Sequence, residues 1–237
     1  MSDSKKHSAL QLKAQNANTL SRFLSWVVTY SVEILIAIVG TIILLVPSLT
    51  EMFQFNRALV EQKHYWLMIT GQFTHFNFTH WILDFIAIII AAVHSPIGFT
   101  KQGLIQVCVS LLIVGLGIWL FGDSDFYRGI SGVVYGWLLL SVLRAEDIHI
   151  EQLRLNLIYK VKVFKFTARN FNLAYKIIFI SLILLKVASD VMGWDLFGIP
   201  GEIGADVSVA AHVFGLLSVL FILPFQWKLI VNKLQAK

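Results

Sequence analysis

Long apolar runs alternate with short polar stretches along this chain, and their lengths predict its organisation. Runs of about 18 or more mostly apolar residues read as membrane-crossing helices. The pattern predicts spans over Trp26–Val46, Phe73–Val93, Gly103–Phe121, Ala174–Gly193 and Ala205–Pro224. Between the third and the fifth lies a stretch of only 13 apolar residues, Ser131–Leu143. At about 1.5 Å of rise per residue it falls short of a ~30 Å hydrocarbon core. Either its helix starts below the membrane surface or it does not span. The expected fold class is therefore an all-α polytopic membrane protein, with six helices and a short, buried-start fourth one. Polar segments flank this membrane domain of residues 25–225: a leader over 1–24 and a basic tail over 226–237. Within the domain, residues 144–174 form a basic loop. There Leu153, Leu155, Leu157, Tyr159, Val161 and Val163 alternate with polar residues, a period of two that suits a short hairpin or an extended interfacial segment.

Composition agrees with the pattern. Of 237 residues, 57% are hydrophobic and 14% charged, with a mean hydropathy of +0.74, too apolar for a water-soluble domain. Cys108 is the single cysteine, which excludes an intrachain disulfide and a cysteine metal cluster. The net charge of +5 is informative by position. Of 19 Lys and Arg, all but Arg57, Lys63, Arg128 and Lys186 lie in the leader, near Lys101, in residues 144–176 or in the tail. The positive-inside rule then puts both termini in the cytoplasm. The ends of the fourth and sixth helices that carry Ser131 and His212 face outward. No cofactor, metal or nucleic-acid partner is expected; the implied partner is the lipid bilayer.

Polar groups at membrane depth are costly and point to function. Gly129-Ile130-Ser131-Gly132-Val133-Val134-Tyr135-Gly136 places a serine where a polar loop becomes an apolar helix. At a helix start, free N–H groups favour a developing anion. The plainer reading makes Ser131 a helix cap and Gly129, Gly132 and Gly136 packing residues. His212, in Ala211-His212-Val213-Phe214-Gly215, needs a hydrogen-bond partner within its apolar helix, and a serine hydroxyl suits it. Ser208, Ala211, Gly215 and Ser218 form one small-residue face, suited to close packing on Gly132 and Gly136. The second span opens with His75, Asn77, His80 and Asp84; His80 and Asp84 share a face and, with His75, suit an oxyanion pocket better than a metal site. Lys186 and Asp190, four apart, are expected to pair with each other, and Glu33 to snorkel or bridge helices.

Together these residues resemble the rhomboid family of intramembrane serine proteases, over about Trp66 to Val219. The resemblance implies a six-helix rhomboid-like bundle and a catalytic dyad of Ser131 and His212, without an acid. It makes Tyr135 the aromatic residue packed on the catalytic imidazole, and His80 an oxyanion ligand. Three positions depart from the family pattern. Asp84 stands where an asparagine donor is usual, Leu67 follows the outer-loop tryptophan in place of arginine, and Val219 replaces a glycine. Asp84 is expected to be either a neutral donor or an ionised group orienting His80. Tyr127-Arg128-Gly129-Ile130-Ser131-Gly132 and Val207-Ser208-Val209-Ala210-Ala211-His212 look most like rhombosortases, bacterial inner-membrane relatives. Those process proteins that end in Gly-Gly, a transmembrane helix and a basic tail. The implied substrates are single-span membrane proteins. The rivals are a generalist rhomboid protease, a non-proteolytic relative that binds membrane clients, and a solute- or proton-coupled transporter.

Overall fold

The computed structural model describes residues 19–144, 168–194, 201, 204 and 208–235. The alternating segment at 153–163 and most of the leader lie outside them. Among the described residues the architecture is a helical bundle carrying one two-residue strand pair. In chain order it comprises α1 (Thr19–Thr29), α2 (Ser31–Leu45), α3 (Pro47–Phe53), β1 (Phe55–Asn56), α4 (Arg57–Glu61), α5 (Leu67–Thr70) and a 3₁₀ turn (Gly71–Phe73). Then come α6 (Phe78–His94), α7 (Lys101–Phe121), β2 (Phe126–Tyr127), α8 (Ser131–Arg144), α9 (Ala168–Val191) and α10 (Val209–Gln235).

Local chemistry moves several of the expected boundaries. The first apolar run is broken at Tyr30, where α1 and α2 meet at 71°. The second helix begins at Phe78, five residues later than its hydropathy suggests, because the Asn77 side chain accepts the His80 N–H at 2.9 Å and caps it. Leu67–Phe73 runs at 92° to α6, so His75 sits in the connecting turn rather than on the helix. The sixth helix begins at Val209 rather than Ala205 and continues through Pro224, where its expected span ended. The fifth begins at Ala168, six residues early. Among the described residues, α7 alone is long and apolar enough to cross a membrane as one straight helix; each bent pair reaches that length only when taken together.

The centre of the bundle is where α10 packs on α7 and α8, with α6 against the other side of α8. Val114, Val133, Leu140, Ala211 and Ile222 are fully enclosed there. Trp137 Nε1 donates to Ser110 Oγ at 3.2 Å, tying α8 to α7. Outward-facing Leu120, Ile178 and Leu220 are each about 60% exposed. A belt of large apolar side chains on several helices is what a lipid-facing surface requires. Glu33 makes an interhelical contact: its Oε1 accepts the Ile97 N–H at 2.7 Å, joining α2 to the turn after α6.

The loop before α8 is held from a distance. β1 pairs antiparallel with β2, Phe55 opposite Tyr127. The Arg57 guanidinium donates to the carbonyls of Ile118, Trp119, Gly122 and Ser124, closing the C-terminal end of α7. Trp119 is among the last carbonyls of α7, which an α-helix leaves without an intrahelical partner, and the Ile118 carbonyl is shared with the Gly122 N–H.

Candidate active site

Ser131 is the first residue of α8 and His212 lies in the first turn of α10. Ser208 starts α10 by accepting the Ala211 N–H at 3.3 Å. The two helices meet at backbone distance because glycines line their contact. A Cβ on Gly132 would lie 2.6 Å from the Ala211 carbonyl oxygen, and one on Gly136 would lie 2.4 Å from that of Gly215. This approach brings Ser131 Oγ to 3.0 Å from His212 Nε2, across 81 residues of sequence. The Tyr135 ring, one turn along α8, packs on the His212 imidazole with centroids 4.4 Å apart.

His212 has a second polar neighbour, on α9. Its Nδ1 lies 2.8 Å from Asp190 Oδ2, while Asp190 Oδ1 is taken by the Lys186 ammonium. The expected Lys186–Asp190 pair is present, but it is not self-contained. Sequence spacing concealed the link to His212, because a carboxylate four residues from a lysine already has a sufficient partner.

Asp84 stands beside His80, with its Oδ2 within ion-pair distance of that ring, and has two nearer partners. Its Oδ2 accepts the Ile130 backbone N–H at 3.1 Å and lies 3.2 Å from His75 Nε2, against 3.7 Å from His80 Nε2. The carboxyl therefore clamps the residue before Ser131, with His75 rather than His80 as its nearer histidine. Gly129 crosses this cluster with φ +122°, and a Cβ there would lie 2.7 Å from the His80 ring. Only glycine combines that backbone angle with that clearance.

These side chains surround a cavity of about 240 Å³. Its polar wall includes His80, Asp84, Ser131, Lys186 and His212; Leu83, Ala87, Val134 and Leu138 make an apolar wall. Arg128 covers one edge, its guanidinium 5.2 Å above the Phe76 ring and its Nε donating to Gln54 Oε1 at 3.0 Å. Tyr127 also lines the cavity, a residue that the sequence offers as part of a motif and not as a site group. Its hydroxyl is enclosed near Ser131 and the Gly132 amide, yet has no hydrogen-bond partner among the described residues. Burial pushes its ionisation above the ordinary tyrosine range, so it remains an O–H donor. Among the described residues no group of three or more His, Cys, Asp or Glu is placed to hold a metal ion.

A serine hydroxyl on an imidazole, at a helix N-terminus inside a lipid-facing bundle, is an arrangement suited to acyl transfer. It places the chain among helical membrane proteins with a partly open site between their helices. The family model for the rhomboid domain matches residues 62–228, which covers all the side chains of this cavity. The chain belongs to the rhomboid family, whose members are intramembrane serine proteases. No curated protein and no solved structure matches it.

Proposed function

We propose that this chain is a serine endopeptidase that cuts single-span membrane proteins at the outer face of a bacterial inner membrane, and that it is a rhombosortase. The observation that carries the reading is the 3.0 Å contact between Ser131 Oγ and His212 Nε2 at the wall of a partly open cavity. Ser131 Oγ attacks the scissile carbonyl carbon as His212 Nε2 takes its proton. The carbonyl oxygen becomes an oxyanion, held by the Ser131 N–H and by His80. On collapse the C–N bond breaks, and His212 returns the proton to the leaving amine. Water, activated by the same imidazole, then releases the acyl group from Ser131. Six spans with both termini cytoplasmic would open the cavity to the outer leaflet, where that water enters.

The subtype rests on the Tyr127–Gly132 and Val207–His212 runs. The test is a fusion protein ending in Gly-Gly, an apolar helix and a basic tail, incubated with the purified enzyme. Cleavage near Gly-Gly, lost when both glycines are replaced, is the expected result. Ser131→Ala and His212→Ala should each lower it by on the order of 10⁴-fold or more, and the double variant no further. Equal cleavage of unrelated single-span proteins would make the chain a generalist rhomboid. Cleavage that survives Ser131→Ala would remove the protease reading of this site.

A further inference from the structure

The imidazole of His212 is gripped at both nitrogens. Nε2 faces Ser131 Oγ at 3.0 Å and Nδ1 faces Asp190 Oδ2 at 2.8 Å. The Asp190 and His212 side chains are 4% and 6% exposed, so water does not compete for either contact. Lys186, one turn earlier on α9, holds the other carboxylate oxygen. A carboxylate bound to an ammonium in this way only accepts hydrogen bonds. The ring nitrogen facing it therefore carries the proton, and the nitrogen facing Ser131 carries the lone pair. An imidazole without such a partner divides between two tautomers, and only one of them can take a proton from serine.

We propose that Asp190 is a positioning residue for the reaction, fixing His212 as the Nδ1–H tautomer with its lone pair on Ser131, while Lys186 fixes Asp190. The proposal rests on the Ser131–His212 chemistry above and adds a third member to it from α9. The alternative is that Asp190 only staples α9 to α10. The two differ in what an isosteric amide does. In Asp190→Asn, Lys186 can engage only the amide oxygen, so the NH₂ group turns toward Nδ1. His212 must then accept there and carry its proton on Nε2, where it blocks the base. Asp190→Ala leaves the tautomer unconstrained. A positioning role therefore makes asparagine the worse substitution, whereas a staple makes it the milder one.

The experiment measures kcat and KM for the Gly-Gly fusion, and the rate of Ser131 labelling by a fluorophosphonate, on the purified full-length variants. Asp190→Asn should lower kcat by on the order of 1,000-fold with little change in KM, and slow labelling in parallel. Asp190→Ala should lose less, and Asp190→Glu should regain part of the rate. If Asp190→Asn does not fold, Asp190→Gln against Asp190→Glu offers the same contrast, and the amide must be the slower of the two. Asparagine at or above alanine, or both within about twofold of the native rate, removes the positioning role while Ser131→Ala still abolishes cleavage. Should cleavage survive Ser131→Ala, the underlying chemistry and this proposal fall together.

Discussion

Asp84 Oδ2 receives the Ile130 N–H at 3.1 Å, so the residue immediately before Ser131 is anchored to the middle of α6. The same oxygen faces His75 at 3.2 Å. A single acceptor atom serves both contacts, and an asparagine can offer its carbonyl oxygen at that place. Asp84→Asn should therefore keep the fold and stay within about tenfold of native turnover, whereas Asp84→Leu leaves two buried groups unpaired. The leucine variant should lose about 1–3 kcal/mol and most activity. Thermal melting in detergent, alongside cleavage rates, distinguishes them. Equal damage from both would mean that charge, not acceptor geometry, is what Asp84 supplies.

Gly215 has no room for a side chain: a Cβ there would lie 1.8 Å from the Gly132 carbonyl oxygen. Gly215→Ala must push α10 away from α8 and draw His212 off Ser131. A displacement of about 1 Å can cost on the order of 100-fold in rate, and overpacking about 1–3 kcal/mol. Turnover and melting temperature should fall together. An unchanged rate would mean that the two helices re-pack without moving the site.

Arg57 should matter more for order than for chemistry. Arg57→Ala frees four carbonyls at the end of α7 and the loop behind it, with a loss of about 1.5–3 kcal/mol for hydrogen bonds to a charged group. Hydrogen exchange over residues 119–130 should quicken, and Arg57→Lys should restore only part of the protection. Native exchange in Arg57→Ala would show that the β1–β2 pair holds the loop unaided.

Tyr127→Phe tests whether the unpartnered hydroxyl is reserved for substrate. Removing an orphaned buried O–H should leave the melting temperature level or raise it. A substrate oxygen that accepts from it would cost about 10- to 100-fold in kcat on losing it. Unchanged kcat would assign Tyr127 to packing alone.

Much of this site was legible because a bilayer makes polar residues conspicuous. Ser131, His212, His80 and Asp84 stand out against apolar neighbours, and the glycines of α8 and α10 sit at helical spacing. What escaped detection had a nearer explanation or no pattern at all. A lysine one turn away already satisfies Asp190, so spacing gives no cue to its contact with His212. Hydropathy does not register the cap at Asn77, so the apolar pattern runs the helix back over His75. Arg57 lies more than 60 residues from the carbonyls it binds, and side-chain contacts to backbone leave no periodic trace. Tyr127 carries no mark in the sequence of the burial that walls in its hydroxyl.

The Gly132–Gly215 contact has a mechanical meaning beyond packing. Helices touching backbone to backbone can come no closer, so their crossing acts as a pivot rather than a spring. Membranes of different thickness tilt helices to bury their apolar length. Tilting about a pivot moves the far ends of α8 and α10 by ångströms while leaving atoms next to the crossing nearly still. Ser131 and His212 are neighbours of that crossing; the C-terminal ends of both helices are not. Rates measured in bilayers of short and long acyl chains should therefore vary little at the chemical step, with thickness felt instead where a substrate helix must enter.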